Sequence, residues 1–299
     1  MSEFGWYCSD CPRRCGAWRS ADTGGGFCGC TALPHIVRAA PHFGEEPCIS
    51  GVNGSGTIFF SGCNLRCVFC QNHEISRSPS GKQTDIASLR DLMLRLRDKG
   101  VHNINLVTPT HYARAVAAAL DGLELGIPVV WNSSGYESAE TLKRLEGLVQ
   151  IYMPDYKYSD PELARRYSSA PDYPAAAAEA IKEMYRQTGP FVLDENGILQ
   201  RGLLIRHLIL PGFDENSMNA IDFVADSFPS GSILFSLMSQ YTPMQDTGRF
   251  PELQKRVSPE SIELLCHYMK TRNITAGYWQ EASSATGEMI PDFQDSGIA

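Results

Sequence analysis

Ser61-Gly62-Cys63-Asn64-Leu65-Arg66-Cys67-Val68-Phe69-Cys70-Gln71-Asn72 follows directly on the apolar run Thr57-Ile58-Phe59-Phe60. Such a run reads as a strand, and the polar, glycine-containing stretch after it reads as a loop. Three cysteines spaced C-x-x-x-C-x-x-C, with an aromatic before the last, then share one short loop at a strand end. Three thiolates on one loop can hold three irons of a four-iron four-sulfur (4Fe–4S) cubane, leaving the fourth iron without a protein ligand. An open coordination position is what a catalytic metal needs, as opposed to a closed structural one. The plainer reading is a zinc knuckle, which wants a fourth ligand and more often a C-x-x-C pair.

Outward from this loop, short apolar runs alternate with amphipathic stretches. Ile104–Val107, Pro128–Trp131, Val149–Tyr152, Leu203–Leu210 and Ile233–Leu237 join Thr57–Phe60 as six candidate strands. Leu89, Leu92, Met93 and Leu96 recur at helical spacing ahead of Gly100, a stop signal. Further helices are expected around Ala113–Leu120, Ala139–Leu148, Tyr173–Met184, Ser217–Ala225 and Pro259–Met269. Strand–helix alternation implies parallel strands with helical crossovers. The expected fold class is therefore α/β, an open, partial (β/α)6 version of the TIM-type barrel, with active residues at the strand C-terminal ends.

The composition is that of a globular chain, 43% apolar and 20% charged over 299 residues, with a net charge of −8. That acidic balance gives no electrostatic reason to expect nucleic acid or an anionic membrane as partner. No apolar run approaches the ~20 residues that span a bilayer, and the start of the chain lacks a signal-peptide pattern, so a cytoplasmic location is expected.

Ten cysteines without an export signal argue against a disulfide framework. Nine of the ten fall before residue 71, the crowding that metal binding requires. Residues 1–50 are turn-rich and read as a small cysteine-rich, metal-stapled segment, with the barrel and a C-terminal extension in 51–299. Cys8, Cys11, Cys15 and Cys28 can close a tetrahedral zinc site or fully ligate a second iron–sulfur cluster. Cys30 can replace Cys28 in that set, while Cys48 and Cys266 read as plain buried residues.

On these motifs the chain resembles radical S-adenosylmethionine (radical SAM) proteins of the pyruvate formate-lyase activating enzyme type, and within them the branch of glycyl-radical-enzyme activators. The likeness covers nearly the full length. It includes Cys8-x-x-Cys11-Pro12-Arg13-Arg14-Cys15-Gly16, His42-Phe43-Gly44-Glu45-Glu46-Pro47, the cluster loop, Gly277-Tyr278-Trp279-Gln280-Glu281 and Ile290-Pro291-Asp292-Phe293. The resemblance implies that S-adenosylmethionine chelates the open iron and is reductively cleaved to a 5′-deoxyadenosyl radical that abstracts hydrogen. It also implies an electron donor such as flavodoxin or ferredoxin, and a glycyl radical enzyme or other peptide as partner.

Residue by residue, the resemblance puts Phe69 beside the adenine and Asp155-x-Lys157 near the methionyl end. Asn132, in a segment running to Ser134, stands where the family usually has aspartate. Arg206 and His207 resemble a cofactor-facing pair, Arg206 being the candidate for the methionyl carboxylate. The family's Gly-Gly-Glu at the second strand end is replaced by Thr108-Pro109-Thr110, whose hydroxyls can take over its hydrogen bonds. That departure leaves room for radical chemistry on a different peptide or a small molecule. A non-catalytic iron–sulfur or zinc protein is the reading from a different class.

Overall fold

The computed structural model describes residues 5–279 together with 293, 296 and 297. Gln280, Glu281 and Ile290-Pro291-Asp292 of the two C-terminal motifs lie outside the described residues.

The chain opens with a two-stranded antiparallel sheet, β1 (Trp6–Tyr7) and β2 (Trp18–Arg19). It continues through β3 (His35–His42), helix α1 (Pro47–Ser50), β4 (Ser55–Phe60), α2 (His73–Ser76), β5 (Lys82–Gln83), α3 (Ile86–Arg97) and β6 (Ile104–Val107). A 3-10 turn at Thr110–Tyr112 leads into α4 (Ala113–Leu120), β7 (Val129–Ser133), α5 (Ala139–Lys143), β8 (Ile151–Pro154), α6 (Pro161–Ser168) and α7 (Tyr173–Thr188). The remaining elements are β9 (Val192–Leu193), β10 (Leu199–Leu208), α8 (Asp214–Ser227), β11 (Leu234–Met238), α9 (Pro259–Thr271) and β12 (Gly277–Trp279).

The main sheet has the order β12-β11-β10-β8-β7-β6-β4-β3-β5, and the pairs from β4 to β12 are all parallel. The six expected strands are therefore present as neighbours in an α/β fold, with β12 added at one edge. At the other edge β3 runs antiparallel to β4, so part of the first fifty residues belongs to the main sheet. Residues of β4, β6, β7 and β8 are buried on both faces, as parallel strands covered by helices must be.

The helices bury the apolar faces that their spacing marks out. Leu89, Leu92, Met93 and Leu96 of α3 pack into the main core, and Asp85 caps that helix by accepting from Ser88 N at 2.7 Å. Helix α6 begins at Asp160-Pro161, an N-cap followed by proline at the first helical position.

Period-two alternation gives the inner face of the sheet its character. Val130, Ile151, Met153, Leu204 and Leu234 form one buried apolar cluster, plugged by Cys48 and Ile49 of α1. Two residues further along β7 and β10 the same face turns polar, at Asn132 and Arg206, and beyond β8 at Asp155. The C-terminal mouth is thus polar above an apolar floor.

Candidate functional site

The loop after β4 is pinned on three sides. Gly62 takes φ +79°, and its N–H donates to Ile75 O at 2.8 Å. A Cβ there would stand 2.3 Å from Cys30 Sγ, so both the backbone and the space demand glycine. Further on, Val68 N donates to Tyr167 O at 2.9 Å, and Arg66 N to Ser168 O at 3.3 Å.

The three sulfurs face different partners on this frame. Leu65 N lies 3.4 Å from Cys63 Sγ, Ser168 Oγ donates to Cys67 Sγ at 2.9 Å, and Cys70 Sγ lies 3.6 Å from Ser76 Oγ. All three residues keep part of their surface open. Burial of the sulfur is still the main cause that pushes the Cys63 thiol up to about 12, with the charges of Cys67 and Cys70 adding to it. The Cys67 thiol is raised as well, by burial first, while Lys157 opposes the shift.

Among the described residues no three His, Cys, Asp or Glu side chains are drawn in to metal-ligating distance; the cysteines stand as free thiols. The donor set itself suits a 4Fe–4S cluster: three soft thiolates on one loop, close enough to feel one another's charge and supplying no fourth ligand. Residues Cys63, Cys67 and Cys70 would hold it.

Beside the loop, Phe69 is buried and packs edge-on against Tyr158 and Tyr241, with ring centroids 6.3 and 6.1 Å away. Tyr158 O–H in turn shares a 2.7 Å hydrogen bond with Ser168 Oγ. The loop thus leans on an aromatic wall built by the segment from the end of β8 into α6.

The mouth is organised around Arg206. Its Nε donates to Asp155 Oδ1 at 2.9 Å, one terminal nitrogen to Glu45 Oε2 at 3.1 Å and the other to Asn132 Oδ1 at 2.7 Å. Lys157 Nζ reaches the other oxygen of Asp155 at 2.6 Å. Although burial alone would raise it, the Arg206 and Lys157 charges hold the Asp155 carboxyl below its ordinary value. Glu45 Oε1 accepts from the side-chain amides of both Asn105 and Asn132 at 3.0 Å. Burial pushes the neighbouring Glu46 carboxyl up, toward its neutral form. Two cations therefore meet two carboxylates in a balanced network.

Arg206 is thus already engaged by protein groups. His207 lies on the opposite face of β10: its Nδ1–H donates to Tyr156 O at 2.6 Å and its Nε2 accepts from Ser217 Oγ at 2.9 Å. Burial lowers its pKa to about 4, so it stays neutral.

The second strand end carries backbone strain. Thr108 takes φ +60°, a region that disfavours β-branched residues, and its N–H donates to Asn132 O at 2.9 Å. Thr110 is buried, with its hydroxyl committed to Glu137 Oε1 at 2.9 Å. Glu137 also accepts from Trp131 Nε1 at 2.5 Å and Ser133 Oγ at 3.0 Å, and burial raises its pKa despite these three donors. Ser134 stands at the mouth, where its carbonyl accepts from Tyr173 O–H at 2.8 Å. The same hydroxyl donates to Asp155 O at 2.6 Å and accepts from Lys157 N at 2.9 Å. One tyrosine of α7 therefore fixes the ends of β7 and β8 together. Gly135 permits their approach, because a Cβ there would stand 2.4 Å from Asp155 O.

In the head, Cys8, Cys11, Cys15 and Cys28 line one small cavity. Cys30 lies outside it, its Sγ 3.7 Å from Ser61 O. The Cys30 thiol and the Arg19 charge stabilise the Cys28 thiolate, while Cys30 is raised and keeps its proton. Burial pushes Cys11 up to about 11. His111, read from the sequence as a helix cap, is buried between head and loop, where its Nε2–H donates to Ser61 O at 2.8 Å.

The family model of the radical SAM superfamily matches residues 57–223, from β4 into α8. This chain belongs to the radical SAM superfamily. Uncharacterized protein MJ0674 of Methanocaldococcus jannaschii is 28% identical over 281 residues, covering 91% of this chain and 76% of that protein. The crystal structure of Streptococcus suis SuiB bound to S-adenosylmethionine aligns with a TM-score of 0.50 at 15% identity, over 79% of this chain and 49% of that one. The chain thus spans about half the length of SuiB, and the likeness is one of fold. A domain of pyruvate-formate lyase-activating enzyme from Bacteroides vulgatus ATCC 8482 aligns with a TM-score of 0.38 at 14% identity, over 66% of this chain and 91% of that one. Among the described residues no helix is long and apolar enough to cross a membrane.

Membership in this family gives the mouth its meaning. Sequence reasoning passed over Glu45, Glu137, Tyr173, Asn64 and Ser168 as site residues. Glu45 lies in a quoted motif, and its Glu-Glu-Pro setting was a signal. The roles of the others depend on contacts between residues far apart in the chain.

Proposed function

We propose that this chain is a radical SAM enzyme that activates a glycyl radical enzyme, by abstracting hydrogen from a glycine of that partner. The observation that carries the reading is the three-cysteine loop at the C-terminal end of β4, beside a polar mouth. A 4Fe–4S cluster held by Cys63, Cys67 and Cys70, supplied with an electron, would cleave S-adenosylmethionine and so provide the 5′-deoxyadenosyl radical.

The chain's own residues then bind and orient. Phe69, backed by Tyr158 and Tyr241, offers an apolar aromatic edge for an adenine. Asp155, Lys157 and Asn132 present paired charges and an amide for the polar methionyl end. Arg206 acts here by holding Asp155 and Asn132 in place, since all its nitrogens face protein partners. Ser134 and Thr108 contribute hydroxyl and backbone groups at neighbouring strand ends. An electron donor such as flavodoxin or ferredoxin completes the proposal, as does a cytoplasmic setting.

A second reading, radical modification of another peptide or a small molecule, draws on Thr108-Pro109-Thr110. This strand end is strained at Thr108 and tied down through Thr110 to Glu137, unlike the glycine-rich segment usual in activating enzymes. Anaerobic turnover with a glycine-deuterated partner enzyme separates the two. Deuterium in 5′-deoxyadenosine, with a protein-borne glycyl radical by electron paramagnetic resonance, is the expected outcome. Label arriving only from another peptide or small molecule moves the assignment to the second reading.

A further inference from the structure

The four head cysteines lie apart from the loop that carries Cys63, Cys67 and Cys70, and nothing in the proposed reaction uses them. Cys8, Cys11, Cys15 and Cys28 nevertheless line a single cavity of about 10 Å3, with Asp10 and Asn64 at its edge. We infer that these four thiols bind one zinc ion in a closed tetrahedral site that braces the radical loop.

The local backbone is shaped to bring the four together. Gly16 N donates to Cys8 O and Arg14 N to Cys11 O, both at 3.0 Å, which folds Cys8–Cys15 into a tight turn. Arg14 and Gly16 both take positive φ, +41° and +63°. Gly26, at φ +72°, passes directly over Cys15: a Cβ there would stand 2.4 Å from its Sγ. Only glycine lets the Gly24-Gly25-Gly26 run deliver Cys28 to the same cavity.

Size chooses between the two groups such a ligand set can hold. An opening of about 10–15 Å3 accommodates roughly one water-sized sphere. That suits a single ion with sulfurs at ~2.3 Å, whereas a cubane of four irons and four sulfides needs several times the room. Cys30 is excluded as a ligand because its sulfur faces Ser61 O beneath the cluster loop. Four thiolates leave no open position, so the ion is structural.

The bracing is direct. Arg13 Nε donates to Asn64 O at 2.9 Å, and Arg66 donates to Phe27 O at 2.5 Å, one residue before Cys28. Arg19 of β2 donates to His111 O at 2.7 Å, and His111 holds Ser61. Ordering the head therefore orders both flanks of the Cys63–Cys70 loop.

The test uses the full chain with Cys63, Cys67 and Cys70 replaced by alanine, which separates the head from the radical cluster. After anaerobic purification and gel filtration in chelator, about one zinc per chain is expected by elemental analysis. Cobalt(II) added alone to the metal-stripped protein should give the visible absorption of tetrahedral thiolate coordination. Cys30→Ser should keep the metal, and Cys15→Ser should lose it. Hydrogen exchange across 63–70 should quicken at least tenfold when zinc is removed from the otherwise unaltered chain. Iron with equimolar sulfide, iron alone, no metal, or loss of zinc in Cys30→Ser would each overturn the proposal. If Cys15→Ser fails to fold, the metal content of the three-alanine protein decides by itself. Unchanged exchange in the loop would refute the bracing.

Discussion

Arg206→Met probes the network that gives the mouth its shape. Methionine keeps the length of the apolar stem while removing the charge and all five donors. The substitution strips Asp155 of its 2.9 Å partner and Glu45 of its 3.1 Å partner, and it leaves Asn132 Oδ1 without a donor from Arg206. Removing one member of a buried ion pair costs on the order of 3–5 kcal/mol. The lower figure applies here, because Asp155 keeps Lys157 at 2.6 Å and Glu45 keeps two amides at 3.0 Å. At about 2.1 cal/mol/K of unfolding entropy per residue, 299 residues give about 0.6 kcal/mol/K, so ~3 kcal/mol lowers Tm by about 5 °C. Differential scanning calorimetry in a fixed metal-loading state measures it. Glu45→Gln in the wild-type and Arg206→Met backgrounds closes a double-mutant cycle, with a coupling of about 1–3 kcal/mol expected. Binding of S-adenosylmethionine should weaken by at least ~10-fold as Asp155 and Asn132 lose their anchor. A Tm change below about 1 °C, or additive single and double variants, would refute the reasoning.

Glu137→Ala leaves Trp131 Nε1, Thr110 and Ser133 without their buried acceptor and should cost about 3 kcal/mol or more in chemical denaturation, whereas Glu137→Gln, keeping an acceptor oxygen, should cost less than half of that. Burial holds the Glu137 carboxyl above its ordinary value, so the folded chain keeps a proton that the unfolded chain has released. Its contribution to stability is present below the unfolded-state pKa and is lost as pH rises through the folded-state pKa. Glu137→Gln should flatten that part of the profile relative to wild type. Gly62→Ala combines φ +79° with a 2.3 Å approach to Cys30 Sγ, and should destabilise by more than ~1 kcal/mol; Cys30→Ala should recover only the clash, as read from Tm. Thr108→Gly should raise Tm by relieving roughly 1 kcal/mol of backbone strain, while slowing cofactor cleavage if the strained conformation positions the strand end.

The six parallel strands were legible because parallel strands buried on both faces read as short continuous apolar runs. The exposed side of the fold was less so. In β3, Arg38, Pro41 and two histidines interrupt the pattern, and the strand is visible only through its antiparallel pairing with β4. The Asp160-Pro161 start of α6 was a readable signal that the strand-by-strand reading passed over. In the mouth, the period-two placement of Asn132 and Arg206 follows from their strands. The partnership of Arg206 with Glu45 spans 161 residues, and no local pattern encodes it. Thr110 shows the same limit in reverse. Its place in the chain suggests a hydroxyl for the cofactor, yet packing turns it into the interior toward Glu137.

The most direct measurement is 5′-deoxyadenosine formed from S-adenosylmethionine by the anaerobically reconstituted, dithionite-reduced protein, alongside Cys63→Ala, Cys67→Ala and Cys70→Ala. Wild type should produce it, and each variant should fall to the background of protein-free controls while keeping its far-ultraviolet circular dichroism. No product from wild type carrying a full cluster, or substantial product from any one of the three variants, would contradict the assignment of these cysteines to a radical-generating centre.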